Sequence, residues 1–126
     1  MGLQCSHGAF SGSYRAFNRF RRSVCRAIGL NEDIWASCGE WSFPSGYSPE
    51  SHPGLWELLH HSDCDGVIPP ALCEAIAVEL TDFVLIKLVK MTDGVEILDG
   101  GHAEICLQFI RGCQAAAILN ENMTFS

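Results

Sequence analysis

Between Ser13 and Gly29 the chain carries two stripes at helical spacing, and no other stretch constrains the fold as strongly. Tyr14, Phe17, Val24 and Ile28 recur on one side, with Phe20 and Ala27 widening the row. Arg15, Arg19, Arg22 and Arg26 recur at intervals of four, three and four, so the polar face is a row of guanidiniums. The spacing predicts a helix over about 13–28, with Ser11 or Ser13 as its cap and Gly29 as its stop.

Further helices follow from the same kind of pattern. A short one is expected at Asn31–Ser37, inside a stretch rich in Ser, Gly and Pro whose aromatics (Trp35, Trp41, Phe43, Tyr47) imply that it wraps the core. Pro53–His60 reads as a helix with Pro53 in its first turn and Leu55, Trp56 and Leu59 buried. Pro69-Pro70 opens the longest helix, to about Lys90, with Leu72, Ile76, Leu80 and Phe83 toward the core and Lys87 and Lys90 suiting its C-terminal end. Turn signals at Thr92-Asp93-Gly94 and Asp99-Gly100-Gly101 flank a Val95–Leu98 run, and a last helix spans His102–Leu119. Ile105, Phe109, Cys113, Ala116 and Ala117 share one of its sides, and its small residues permit close contact. Leu3 and Cys5 alternate with Gln4, and Met123 and Phe125 with Thr124, so two short strands can pair. The expected class is mainly α (α+β), with three to four helices and a two-stranded β element joining the N- and C-termini of a single domain, 1–126.

Charge is distributed unevenly. The formal net charge is −7, yet five of the eight basic residues lie between Arg15 and Arg26 and no acid precedes Glu32. An acidic body with one basic helix argues against nonspecific DNA binding, which needs a broad cationic surface. It permits a local anion site or an acidic partner, although such arginines ordinarily pair with a chain's own carboxylates or face water. No uncharged apolar run approaches a membrane span, and no basic start followed by an apolar stretch marks a secretory signal. The seven cysteines are odd in number and form no C-x-x-C pair, so neither a disulfide framework nor a zinc ribbon is indicated. Cys25, Cys106 and Cys113 read as small hydrophobes in a reducing cytosol.

The densest cluster of potential chemistry is His60-His61-Ser62-Asp63-Cys64-Asp65-Gly66-Val67-Ile68. Asp63-x-Asp65-Gly66-x-Ile68 matches part of a calcium loop, but the first ligand would be His61 and the bidentate acid would fall on Leu72. His61, Asp63 and Asp65 are therefore weak metal candidates. A transition-metal site would use His60 or His61 with Cys64 and a third ligand from His7, His52 or His102. A catalytic reading would use His61 as base and Cys64 or Ser62 as nucleophile, oriented by Asp63 or Asp65. The favoured reading is a structural turn: Asp63 and Asp65 cap backbone amides, Gly66 takes a positive φ, His61 bonds locally and Cys64 is buried. No cofactor and no catalytic residue is assigned.

Three places carry a resemblance. They are Ser6-His7-Gly8 with Tyr14-x-x-Phe17-x-x-Phe20-Arg21, then His61-Ser62-Asp63-Cys64-Asp65-Gly66-x-Ile68, and Gln108-Phe109-Ile110-x-Gly112 leading into Ala115-Ala116-Ala117. Together the chain resembles a family of small phage, prophage and bacterial proteins with an H-S-D-C-D-G motif. That family often has acids after the motif glycine and after the prolines, where this chain has Val67, Ala71 and Leu72, which weakens a cation site further. The resemblance implies a bacterial or viral cytosolic setting and transfers no activity. In that setting the Met1-Gly2-x-x-x-Ser6 acylation pattern, with Cys5 placed for a second chain, reads as coincidence, and no membrane partner is expected unless Gly2 is acylated.

The functional expectation is a non-catalytic binding protein of phage type that sequesters a ligand or blocks a host defence protein. A nucleotide-like ligand would use Arg15, Arg19 or Arg22 for phosphate, with Tyr14, Trp41 or Tyr47 stacking on a base. The candidate ligand residues are thus Tyr14, Arg15, Arg19, Arg22, His61, Ser62, Asp63 and Asp65. Alternatively the acidic body fills a cationic groove on a host protein, which salt would weaken steeply. The other classes are a hydrolase built on the His60–Asp65 turn and a homo-oligomeric accessory protein joined through Trp35, Trp41 and Phe43.

Overall fold

The computed structural model describes residues 2–37, 40–92 and 102–126. Cys38, the Val95–Leu98 run and its flanking turn signals lie outside the described residues, as does the side chain of Lys90. Strand β1 (Gly2–Cys5) passes through a 3₁₀ turn at Ser6–Gly8 into β2 (Phe10–Ser13) and helix α1 (Tyr14–Ile28). A one-turn helix α2 (Glu32–Ala36) and an irregular aromatic segment lead to α3 (Pro53–His60) and β3 (Gly66–Ile68). Then come α4 (Pro70–Glu79), a π-helical stretch at Leu80–Leu85, α5 (Ile86–Thr92), α6 (His102–Leu119) and β4 (Met123–Phe125). The class is mainly α with a minor antiparallel sheet, as expected.

Helix α1 is built as its sequence dictates. Ser13 is extended, and its hydroxyl accepts the Ala16 N–H at 3.0 Å; Gly29 takes φ 83° while Leu30 N–H reaches back to Cys25 O at 2.9 Å. That left-handed stop satisfies terminal carbonyls without a Cβ penalty. The aromatic stripe is buried as predicted, and Phe17 is its hub. Its ring centroid lies 5.1 Å from Phe10, 5.7 Å from Phe125, 6.0 Å from Phe109 and 6.1 Å from Phe20. Each such pair adds about 0.5–1.5 kcal/mol beyond the area it buries. The four partners come from β2, β4, α6 and α1 itself, so one side chain joins the sheet to the helices.

The chain ends pair as their alternation suggests: Gln4 and Ser126 exchange N–H···O bonds of 2.9 and 3.0 Å, and Cys5 stands opposite Phe125. The sheet is larger than the expected two strands, however, with order β2-β1-β4-β3 among the described residues. Only Phe10 of β2 and only Ile68 of β3 are buried, so neither strand shows the alternation that marks β1 and β4. Burial of Cys5 also removes it as an acylation site in the folded chain.

The rod from Pro70 departs from its predicted face midway. Phe83 is 37% exposed, whereas Val84 and Leu88 are buried. The wider π turn at Leu80–Leu85 adds residues per turn and rotates the following positions, bringing Val84 to the core. Lys87 does not serve its own helix: its Nζ donates to Ala27 O at 2.9 Å, closing the C-terminal end of α1.

Candidate functional site

Two adjoining clefts run along the outer face of α1. One, of about 530 Å³, is lined by Arg15, Asn18, Arg19 and Arg22. The other, of about 540 Å³, lies between α1, α2 and the end of α3, where Trp35, Trp41, His60, His61, Ser62 and Asp63 contribute to its wall. Asn18 and Arg22 belong to both, so the arginine row opens directly onto an aromatic recess.

The recess is organised by Arg21, a residue that the stripe reading passes over. It sits four residues after Phe17 and three before Val24, on the core side of the helix, and only 6% of it is exposed. Its guanidinium lies 4.9 Å from the Phe17 ring and 5.0 Å from Trp35. Nη1 donates to His61 O at 2.6 Å and to Leu58 O at 3.3 Å, and Nη2 donates to Asn18 Oδ1 at 2.5 Å. Asn18 Nδ2 in turn donates to Asp63 Oδ2 at 2.9 Å. Burial pushes Arg21 down to about 10, against the pull of Asp63, so it is still a cation at neutral pH. Its Nε is buried and has no protein partner. An arginine on the apolar stripe was the available sequence signal, since a charge there must find buried acceptors.

On the opposite wall, Trp41 stacks on His60 with centroids 4.4 Å apart and 25° between planes, and Trp56 backs His60 at 3.8 Å. His60 Nδ1 donates to Trp56 O at 2.9 Å, and Trp35 Nε1 donates to Leu59 O at 3.0 Å, so both rings are held by the last turn of α3.

The predicted residues separate into two groups. Arg15, Arg19, Arg22, His61, Ser62 and Asp63 line the combined groove. Tyr14 instead packs against the core at the start of α1, and Tyr47 lies among Phe43, His52 and Phe83, so neither stacking role is served from the groove. Asp65 is exposed and lines neither cleft. Arg22 is shared with the chain's own acids, donating to Glu32 and Asp33 at 3.2 Å each, and Arg26 pairs with Glu32 at 2.9 Å. The hydrogen bonds it donates to Asp33 and Glu32 raise Arg22 above its ordinary value.

The central turn is structural in part as expected. Gly66 takes φ 98°, and both ring nitrogens of His61 face carbonyls, Nδ1 at 2.8 Å from Ser62 O and Nε2 at 3.1 Å from Val67 O. These contacts point the ring at backbone rather than at a nucleophile or a metal. Two details differ. Ser62 Oγ, not an aspartate, accepts the Cys64 N–H at 3.2 Å, while Asp63 is turned to Asn18. Cys64 is exposed because the turn projects it outward, away from the core. Among the described residues no group of three or more His, Cys, Asp or Glu is placed to hold a metal ion. No described helix is long and apolar enough to cross a membrane. The chain matches no protein-family model, no curated protein and no solved structure.

Proposed function

We propose that the chain is a small binding protein of phage or prophage type that sequesters a nucleotide-like anion in the groove along α1. The observation that carries this reading is the continuity of an arginine row with an aromatic recess through Asn18 and Arg22. Guanidiniums present planar, bidentate donors that match phosphate oxygens, and Arg15 and Arg19 supply them at the open end. At the other end, the Trp41–His60 stack offers a π face to a base, and Asp63 and Ser62 offer polar contacts to its edge. Arg21 adds buried positive charge beneath the recess. No reaction is required of this groove; holding the ligand is the function.

Titration calorimetry with a panel of mono- and dinucleotides tests the reading, with inorganic phosphate and bare nucleosides as controls. Binding of the nucleotides above either control is expected. Arg15→Ala with Arg19→Ala should weaken it about tenfold or more, in line with charge-assisted bonds of about 1.5–3 kcal/mol. Trp41→Ala should cost about 1–3 kcal/mol of stacking. Absence of binding at millimolar nucleotide in low salt would overturn it.

A second reading, self-association as an accessory protein, is supported by a different surface. Val78 and Ile118 are 53% and 83% exposed beside a cleft of about 660 Å³ between α4 and α6, and neighbouring Leu119 is 60% exposed. Trp35, Trp41 and Phe43, the patch expected from sequence, are instead half-buried against the core. Light scattering across a concentration series tests it: a monomer throughout rules the reading out.

A further inference from the structure

We propose that Ser6, His7 and Glu121 form a second, chemically active site that cleaves small carboxylic esters. The proposal is independent of the α1 groove. Ser6 Oγ lies 2.8 Å from His7 Nδ1, and His7 Nε2 lies 2.8 Å from Glu121 Oε1. An ionised carboxylate only accepts, so Nε2 carries the ring proton; Nδ1 is then the acceptor, and the Ser6 hydroxyl donates to it. Hydroxyl to imidazole to carboxylate is the order an activated serine needs. The Thr124 N–H also donates to Ser6 Oγ at 2.9 Å, which steadies negative charge developing on that oxygen.

The turn that joins β1 to β2 sets these two side chains against each other. His7 has φ 61° and ψ 20°, a left-handed conformation for a residue with a Cβ, and Gly8 follows at φ 70°. The turn is held by the Ala9 N–H donating to Ser6 O at 3.2 Å and by Gln108 Nε2 donating to Gly8 O at 2.9 Å. Both positive φ values are those of a type I′ turn, whose twist matches the paired strands β1 and β2. In this case the twist carries the imidazole back onto the hydroxyl of the residue before it. Beside His7 and Gly8 opens a cleft of about 390 Å³ whose lining also includes Glu104, Gln108 and the exposed residue Arg111. It suits a short acyl chain and provides a donor for an ester carbonyl.

The reaction balances with water as the only co-reactant. Ser6 Oγ bonds to the acyl carbon as its proton passes to His7 Nδ1. The bond from that carbon to the alcohol oxygen then breaks, and the same proton leaves with the alcohol. Water attacks the acyl-serine, gives a proton to Nδ1, and the acid departs as Ser6 Oγ recovers that proton. Glu121 remains ionised and positions the imidazole.

Reaction of the intact wild-type chain with a fluorophosphonate, followed by peptide mapping, reads the nucleophile directly. An adduct on Ser6 is expected, absent from Ser6→Ala and formed about 100-fold more slowly or worse in His7→Gln. Glu121→Gln should slow labelling by about tenfold or more while leaving the melting temperature within about 2 °C, the scale of a surface substitution. Multiple turnover of p-nitrophenyl acetate should accompany the labelling and vanish with Ser6→Ala. Because the adduct is mapped on the wild-type chain, a variant that folds poorly does not blur the answer. No Ser6 adduct under conditions that modify a known serine hydrolase to completion overturns the proposal. So does labelling that His7→Gln leaves unchanged.

Discussion

Glu79 closes a helix to which it does not belong. Its two carboxylate oxygens accept the backbone N–H groups of Gly54 and Leu55, each at 2.9 Å, at the N-terminus of α3. His52, the residue at the cap position, makes no side-chain cap bond, and Pro53 has no N–H to offer. The acid therefore does a capping residue's work from 25 positions away, and its negative charge suits the positive end of the helix. With Glu79 only 6% exposed, Glu79→Ala strands two buried amides. A loss of about 2–4 kcal/mol is expected in urea unfolding, and Glu79→Gln should recover part of it by keeping one acceptor.

The other end of α3 is closed in the mirror sense, by a cation. Arg21 donates to Leu58 O and His61 O, and a lysine in its place has no fork to reach both and Asn18 as well. Arg21→Lys should lower stability by about 2–3 kcal/mol, the cost of leaving buried acceptors unpaired. It should also weaken any ligand held in the recess. Thermal melts beside the nucleotide titration check both; an unchanged melting temperature would mean that the Arg21 bonds contribute nothing net.

Alkaline pH should unfold the protein sooner than acid-stable helices alone would suggest. Burial pushes Cys5, Cys25 and Cys106 up to about 12 each, and a hydrogen bond with Cys73 together with burial raises Cys113 as well. Above about pH 9 the unfolded chain releases these thiol protons while the native chain keeps them, so stability falls as pH rises, by up to about 1.4 kcal/mol per thiol per pH unit. Arg21 works the other way above about pH 10, because burial favours its neutral form, and it offsets one of the four. The urea midpoint, followed in reductant from about pH 8 to 11, should drop steadily, and Cys106→Ala should reduce the slope by roughly a quarter to a third.

Gly112 marks the place where α6 meets the turn after β1. A Cβ built there would collide with Ala9 Cβ and Cα and stand 2.9 Å from Ala9 N, a backbone atom with no room to yield. Gly112→Ala should cost about 3 kcal/mol or more. The same turn holds His7, so ester cleavage should fall with it. Circular dichroism melts measure the first effect and p-nitrophenyl acetate the second.

Much of the secondary structure was legible in the sequence because its signals are local. Ser13 and Gly29 bracket α1, Asn31 caps α2, Pro53 opens α3, and the α6 limits of His102 and Leu119 match the pattern. Half of the groove was legible too, since a row of arginines at helical spacing must share a face. Arg21 and His60 were not, because their roles depend on what lies opposite. Phe83 was misplaced for a related reason: Ile76, Leu80, Val84 and Leu88 keep one face at a steady four-residue spacing across a π turn, which periodicity at 3.6 residues does not register.

What the sequence determined by itself was where helices begin and end, which faces are apolar and that the two termini can pair. These follow from backbone sterics and from periods of 3.6 and two residues, which act within one element. Only the tertiary structure decided which partners the charged side chains find. Glu79 and Arg21 close α3 from other helices, Lys87 closes α1 from α5, and Glu121 reaches His7 across 114 residues. A buried donor or acceptor must find a partner, but the free energy of that bond depends on distance in space and not on separation along the chain. No local pattern encodes it, and so the residues that secure the short helix and aim the candidate nucleophile emerge only once the chain has folded.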